Sequence, residues 1–576
     1  MSIYKSEKSR NVSNTVMNKV FNKVVVERGK KAVHSLDVAS KNAVKLQQEC
    51  LMKLIEDNKD TEYGKMYDFA NIHSIEDYQK KVPLTDYDDY APYIKKMVED
   101  GENNLITASE PKHYAISSGS IGVPKHIPVT QAEIDKYSKY GPGMAFGVMD
   151  EYYRNTTGHS FKYGLGANMV ELKSQVTPSG VSMGSISGNV LNSLKSFIKF
   201  FFQPPWEVIC PDDDIDVKYL RARFILQTRN ITYIDGAFMT ALVDFMDYIK
   251  DNWEMLCKDI YHGRINSKIA IPEKSRELFE LMIEPNQGRA RELVREFRKG
   301  MEGIVPRIWP NIQFVASIGT GGFFTYSTKM KYYTGRNVPF YNMLYGASEG
   351  LVAVARHAED KSYVLIPDGG FYEFIPVKDD EEDKILTIDK LEEGESYEII
   401  FTNLSGLYRY RIKDVVRVTG FYNESPKIQF VYRKSQMISI AGEKTNDEAL
   451  RWVIKQFIKD TGVEVSDYSI YADTDSEPGR YVFLIEPNEV VPQERIPELR
   501  DTIEARMMQA NPSYGDKIRN GVLSPARLVI LQQQTYMLYR DLMIMKGTSA
   551  NQLKPVRVID TPMKEAFFFS LEEKYN

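Results

Sequence analysis

Ser117-Ser118-Gly119-Ser120-Ile121-Gly122-Val123-Pro124-Lys125 joins small residues and hydroxyls to a terminal lysine. In such a loop backbone N–H groups approach an anion closely, hydroxyls add donors and the ammonium adds charge, which is how loops hold phosphates. The pattern G-x-x-x-x-G-K-[ST] is absent, which disfavours kinase-type or P-loop ATPase chemistry. Tyr345-Gly346-Ala347-Ser348-Glu349 sets an aromatic face beside a carboxylate, a pair able to stack on a purine and to hold Mg²⁺ through oxygen. In Gly406-Leu407-Tyr408-Arg409-Tyr410-Arg411-Ile412-Lys413-Asp414, strand alternation predicts Tyr408, Tyr410 and Ile412 on one face and Arg409, Arg411 and Lys413 on the other. Asp414 closes the basic row with a carboxylate that can accept hydrogen bonds from both ribose hydroxyls. Taken singly, these are also a Ser/Gly turn, a strand-end turn with a solvated glutamate, and a surface strand with cross-strand ion pairs. Their order assigns them the phosphates, adenine with metal, and ribose of one ATP.

A fourth residue belongs with them. Lys554 follows Gly547-Thr548-Ser549 and precedes Pro555, the composition of a shaped loop. Its ammonium is a compact charge suited to a carboxylate oxygen attacking phosphorus and to the charge that builds on pyrophosphate.

The elements that must position these residues alternate. Residues 1–60 are poor in glycine and read as mainly helical. From about residue 110, short strand-like runs alternate with helical patterns, the signature of α/β architecture. Ala290, Leu293, Val294 and Phe297 recur at helical spacing ahead of Gly300, predicting a helix over 289–299. Gln313–Ile318 reads as a buried strand entering Gly319-Thr320-Gly321-Gly322, and strand-to-glycine turns are where α/β sheets seat ligands. Residues 363–432 read as an antiparallel or barrel-like β section, with strands over 372–377, 384–388, 397–402, 415–419 and 428–432. The acidic run Asp379–Asp383 reads as a solvated hairpin loop rather than a metal site. A boundary is expected near Arg433–Gln436. Beyond it, Asn446 is placed to cap a helix ending before Gly462, followed by strands over 468–472 and 481–486 and a helix around 494–509. Two domains result, 1–433 and 434–576, the second a small α+β unit.

Composition excludes several function classes. The 576 residues are 43% hydrophobic and 27% charged, with net charge −5, so no basic field marks a nucleic-acid partner. No run approaches the ~20 apolar residues of a membrane span, and no signal-peptide core follows Met1. Cys50, Cys210 and Cys257 are odd in number and far apart, which predicts neither a disulfide framework nor structural zinc and fits a reducing, cytoplasmic setting.

The motifs resemble those of the Gretchen Hagen family of acyl-acid amido synthetases, best known from plants. That family belongs to the adenylate-forming superfamily with acyl-CoA ligases and luciferases. Ser117–Lys125 is similar to its Ser-Ser-Gly-Thr/Ser loop. Tyr345, Ser348 and Glu349 match its Tyr-x-x-Ser-Glu. Gly406–Asp414 matches its Ala-Gly-Leu-Tyr-Arg-Tyr-Arg-Val-Gly-Asp, with Ser405 and Lys413 differing at small-residue positions. Ile308-Trp309-Pro310-Asn311, Phe421-Tyr422-Asn423 through Arg433-Lys434, and Gly547 through Lys554 with Arg557 add to the likeness, which spans about residues 110–560. Gly319-Thr320-Gly321-Gly322 departs from the plant-like Thr-Gly-Ser-Met, so plant hormone substrates are not carried over.

The resemblance implies an α/β adenylate-forming fold, with a large N-terminal domain containing a β-barrel section and a small mobile C-terminal domain. It implies that Ser117, Ser118, Gly119 and Ser120 hold the β- and γ-phosphates with Lys125 assisting. Tyr345 would pack on adenine, Ser348 would belong to the ATP site, and Glu349 would coordinate Mg²⁺. Asp414 would bind ribose with Arg433 nearby, and Lys554 would assist adenylation, with Arg433–Gln436 as the hinge between half-reactions. The implied substrates are ATP, a small carboxylic acid and an amino acid. An acyl- or aryl-CoA ligase shares the first half-reaction, and a catalytically silent nucleotide-binding protein stands as a third reading. Tyr163, Phe323, Phe324 and Tyr341, within 163–190 and 316–346, are candidates for an aryl-acid pocket and equally for core packing.

Overall fold

Helix and strand follow where periodicity and caps agree. The computed structural model describes residues 7–117, 125–162, 164–172, 175–378, 384–434, 437–548 and 553–574. The predicted helix over 289–299 is Gln287–Phe297, its first turn closed by the Asn286 side chain, which accepts from the Arg289 N–H, and Gly300 follows at φ 89°. The expected N-terminal helices are Glu7–Ala39 and Ala43–Asn58.

The chain divides into two compact units, neither continuous in sequence. The first comprises 1–318, 329–412 and 418–429; the second comprises 319–328, 413–417 and 430–576.

Within the first unit, a five-stranded sheet runs 202–203, 165–168, 231–238, 314–318, 340–341, and every neighbour pair is parallel. Its central strands, Ile231–Phe238 and Phe314–Ile318, are mostly buried, as strands covered on both faces must be. A four-stranded sheet orders 125–129, 113–117, 182–184, 175–176. A seven-stranded sheet orders 344–347, 350–354, 363–365, 425–433, 410–422, 396–402, 371–376. The predicted strand over 384–388 is a single bridge, where Leu386 exchanges both backbone hydrogen bonds with Phe374. Ile385, Leu386 and Thr387 are all only half-buried, so no alternating apolar face exists to extend that pairing. The acidic run Asp379–Asp383 lies outside the described residues.

In the second unit, strands 527–530, 480–487, 465–473 and 558–559 form one sheet in that order. Alternation sends Tyr481, Phe483 and Ile485 to one face and Val482 and Leu484 to the other. The first face is covered by helices Asp447–Thr461 and Ile496–Ala510, through Leu450, Val453, Phe457, Leu499 and Ile503. The second is covered by Thr535–Met545 and Pro562–Ser570, through Tyr536, Tyr539 and Phe568. Asn446 caps the first of these helices by accepting from the Ala449 N–H at 2.9 Å, and Gly462 ends it at φ 70°. Among the described residues no helix is long and apolar enough to cross a membrane, and Cys50, Cys210 and Cys257 are free thiols.

Candidate active site

The phosphate-loop segment is the tip of a hairpin. Strand His113–Ser117 pairs antiparallel with Lys125–Val129, and Ser117 lies directly opposite Lys125. Ser118, Gly119 and Ser120 lie outside the described residues. The Lys125 ammonium sits 4.8 Å from the Tyr87 ring centroid, a cation–π contact that directs its half-buried stem.

Ser348 and Glu349 form the two-residue turn between strands Leu344–Ala347 and Gly350–Val354. Gly350, at φ 150°, is required here: a Cβ would stand 2.8 Å from Glu133 Oε1 and 3.0 Å from the Phe401 ring. Glu133 is buried behind the turn and accepts from the Leu351 N–H at 3.0 Å, while Lys136 balances its charge at 2.9 Å. Tyr345 is largely buried and tilts against Tyr363 at 6.2 Å. Glu349 stays half-exposed at the turn.

The third motif departs from the predicted alternation. The strand begins only at Tyr410, because Arg409 takes a left-handed φ of 49° and leaves the ladder. Both arginines turn inward. Arg409 pairs with the buried Glu373 at 3.0 Å and donates to the Gln79 and Val82 carbonyls. Arg411 grips the fully buried Glu398 across the sheet. Arg409 and Arg411 are therefore framework, held by charges too costly to leave alone in the interior. Lys413 also sits at φ 65°. That explains why the resembling motif has glycine there, and the side chain costs about 1–2 kcal/mol of backbone strain.

The bases of all three motifs meet in one buried polar network that sequence reasoning missed. The Asn403 amide donates to the Glu349 carbonyl at 2.7 Å, and its oxygen accepts from the Ser405 and Leu407 N–H groups, both at 2.9 Å. Ser405 Oγ accepts from the Thr130 N–H at 3.1 Å, and Thr130 Oγ1 donates to the Leu404 carbonyl at 2.8 Å. Thr130 directly follows the strand opened by Lys125. The departure at Ser405 thus gains a hydroxyl bond. Gly406 itself, at φ 99°, would drive a Cβ to 2.8 Å from the Ile106 carbonyl. Thr130→Val keeps the shape and removes the hydroxyl donor. It is expected to cost about 1–2 kcal/mol, read as a lowered denaturant midpoint with m unchanged.

The other candidates belong to the second unit. Asp414 is buried, and its Oδ1 receives Arg433 Nε at 2.6 Å. Lys554 is exposed. Three residues on, Arg557 is locked in place: it pairs with Asp467 at 2.6 Å, donates to the Gly322 carbonyl at 2.6 Å, and stacks over Tyr468 at 4.1 Å. Tyr326 donates to Asp467 and accepts from Arg540 at 2.8 Å. The glycine turn after the strand Phe314–Ile318 is thereby built into this unit. Ser435, Gln436 and Tyr163 lie outside the described residues. Phe324 packs on Tyr468 and Lys455. Tyr341 is buried, its hydroxyl spent on the Ala355 carbonyl, so it is core.

Mg²⁺ needs few protein ligands when phosphates supply the rest of its shell. Among the described residues no group of three or more acidic, histidine or cysteine side chains could cage a metal. A single half-exposed carboxylate, such as Glu349, fits an ion held through a nucleotide.

A parallel sheet ending in glycine turns, an antiparallel sheet bearing a Tyr-x-x-Ser-Glu turn, and a small C-terminal α+β unit define an adenylate-forming fold. The chain aligns with an acyl acid amido synthetase solved with 2,4-DB at TM-score 0.83 and 24% identity, covering 95% of this chain and 96% of that one. A 2-hydroxyisobutyryl-CoA ligase shares the fold more distantly, at TM-score 0.52 and 11% identity over 91% of this chain and 89% of the other. Family models for the GH3 family N-terminal, central and C-terminal domains match residues 32–340, 363–433 and 448–563. The chain belongs to the GH3 family. It is 26% identical to a probable indole-3-acetic acid-amido synthetase of Oryza sativa subsp. japonica, over 93% of this chain and 95% of that protein. It is likewise 26% identical to a 4-substituted benzoates-glutamate ligase of Arabidopsis thaliana, over 90% and 93%.

Proposed function

We propose that the protein is an ATP-dependent acyl-acid amido synthetase. It joins a carboxylic acid to ATP with release of pyrophosphate, then passes the acyl group to the amine of an amino acid with release of AMP. The observation that carries this reading is the match of all three family domains in order along one chain. Its similarity to proteins named as amino-acid conjugating ligases of indole-3-acetic acid, jasmonic acid and benzoates supports an acid as one substrate and an amino acid as the other. Three free thiols fit a cytoplasmic setting.

The roles follow from residue chemistry. Ser117, Ser118, Gly119, Ser120 and Lys125 hold phosphates, and Tyr345 and Ser348 flank the base. Glu349 holds Mg²⁺, which neutralises phosphate charge when bound. Asp414, oriented by Arg433, accepts from the ribose hydroxyls, and Lys554 carries the ammonium that faces the developing charge.

The test offers a panel of carboxylic acids with ATP and follows pyrophosphate, then adds amino acids or CoA and follows AMP. Pyrophosphate release with an acid, and AMP release with an amino acid but not with CoA, is the expected result. No release with any acid would overturn the reading. Asp414→Ala should weaken ATP binding by about 10- to 100-fold by calorimetric titration, because a charge-assisted pair of hydrogen bonds exists already in the ground state. Unchanged affinity would remove its ribose role.

A further inference from the structure

One half-buried aspartate in the first unit, with one carboxylate oxygen sealed from solvent, has no counterpart in the roles above. Asp235 stands near the carboxyl end of strand Ile231–Phe238, the edge of a parallel sheet at which α/β proteins bind ligands. Its Oδ2 accepts from the Asn168 amide at 2.9 Å. Asn168 is itself fixed, because its own oxygen accepts from the Val170 N–H at 3.0 Å. Asp235 Oδ1 is sealed from solvent and has no hydrogen-bond partner among the described residues.

Its surroundings explain why nothing among the described residues answers it. Asn168, Asp235, Ala316 and Tyr341 pair in register across four parallel strands, so their side chains form one row on one face. Beside Asp235 the row holds only the methyl of Ala316. Tyr341 follows, and its hydroxyl reaches the Ala355 carbonyl, immediately after the strand that leaves the Ser348–Glu349 turn. The row thus runs from an orphaned carboxylate towards the element that carries the candidate metal ligand. Burial pushes the Asp235 carboxyl up to about 7, against the Asn168 amide and its own backbone N–H, which pull it down. Near neutrality it can therefore accept as a carboxylate or share a proton as an acid.

We propose that Asp235, oriented by Asn168, reads the acyl-acid substrate and selects acids that carry a hydrogen-bond donor, a hydroxyl or an amine, remote from the reacting carboxylate. The assignment rests on the ligase reading in so far as that reading makes this sheet edge an acid site. The donor must be remote, because a carboxylate brought to Asp235 would meet a like charge. A donor-free acid would leave Asp235 Oδ1 sealed and unpaired, and sites of that kind discriminate strongly against analogues lacking the donor.

The test uses matched aryl, arylalkyl and alkyl carboxylic acids, each with and without a terminal hydroxyl or amino group. They are titrated calorimetrically into the full-length protein with a non-hydrolysable ATP analogue and no amino acid present, so any donor read is on the acid. The wild type is expected to favour the donor-bearing member of at least one pair by about 100-fold or more. Asp235→Leu should erase that ratio; it removes the unanswered Oδ1 together with the acceptor of the Asn168 amide, so its melting temperature is recorded alongside. Asp235→Asn serves where the leucine variant does not fold, and should shrink the ratio by at least about tenfold. Equal affinity within every pair, a ratio that survives both variants, or a fall in melting temperature with the ratio intact would overturn the proposal. Pyrophosphate release in the same panel is scored separately. A donor ratio without pyrophosphate keeps Asp235 and sinks the ligase, pyrophosphate without a ratio does the reverse, and binding of no acid counts against both.

Discussion

Replacing Lys554 with alanine is expected to lower acid-dependent pyrophosphate exchange by about 10²- to 10³-fold while leaving ATP affinity within a factor of about three. The asymmetry is the content of the prediction. A charge that stabilises an oxygen attacking phosphorus acts where negative charge builds, and in the proposed assignment the ground-state complex takes its phosphate contacts from Ser117–Lys125. Lys554 is exposed, so its loss opens no interior cavity. Its placement is set by the next three residues of the chain. Pro555 restricts the backbone, and Arg557 is held by Asp467, Tyr468 and the Gly322 carbonyl, while its own carbonyl accepts from the Ile470 N–H at 2.9 Å. Lys554→Arg should rescue little, because a planar fork does not deliver a compact point charge to the same spot. Exchange at the wild-type rate in Lys554→Ala would end the assignment. A parallel loss of ATP affinity would move the residue from chemistry to binding.

The legible parts of this chain were those in which local chemistry is self-sufficient. Asn446 and Gly462 bracket a helix because a capping side chain and a left-handed C-cap are local events, and both stand as read. Tyr345–Glu349 was legible as a turn between strands for the same reason. Three things were not. The alternation over 408–413 failed because it assumes extended backbone throughout, and Arg409 and Lys413 are both left-handed. Asn403 and Thr130 carried no signal of their own, since they become a junction only when Asn403 meets Glu349, 54 positions away, and Thr130 meets Ser405, 275 positions away. Asp235 carried no motif around it, and its unpaired oxygen is a property of its neighbours across the sheet. The order of the motifs was legible, while the network that joins their bases was not, because order is linear and burial is not.

Arg409→Met is expected to destabilise the first unit by about 3–5 kcal/mol, although Arg409 lies within a nucleotide motif and is far from idle in the fold. Its side chain is 3% exposed and that of Glu373 1%. Besides that pair, the guanidinium closes two backbone carbonyls, Gln79 at 2.8 Å and Val82 at 2.7 Å. The methionine fills most of the volume but leaves Glu373, among the described residues, with only the Gln79 amide, at 2.9 Å, to balance a buried charge. The penalty is thus the desolvated carboxylate left behind rather than the net value of the pair. Adding Glu373→Leu should for that reason recover most of the loss, and a double variant as unstable as the single one would contradict this account. The left-handed φ of 49° at this position is strained with either side chain, so it does not enter the difference. The readout is the denaturant midpoint of the first unit, since a chain with two compact units need not unfold in one step. Below the transition, ATP affinity should stay near that of the wild type. A variant of unchanged stability that had lost ATP would return Arg409 to the site, and the turn that buries it against Glu373 would then need another cause.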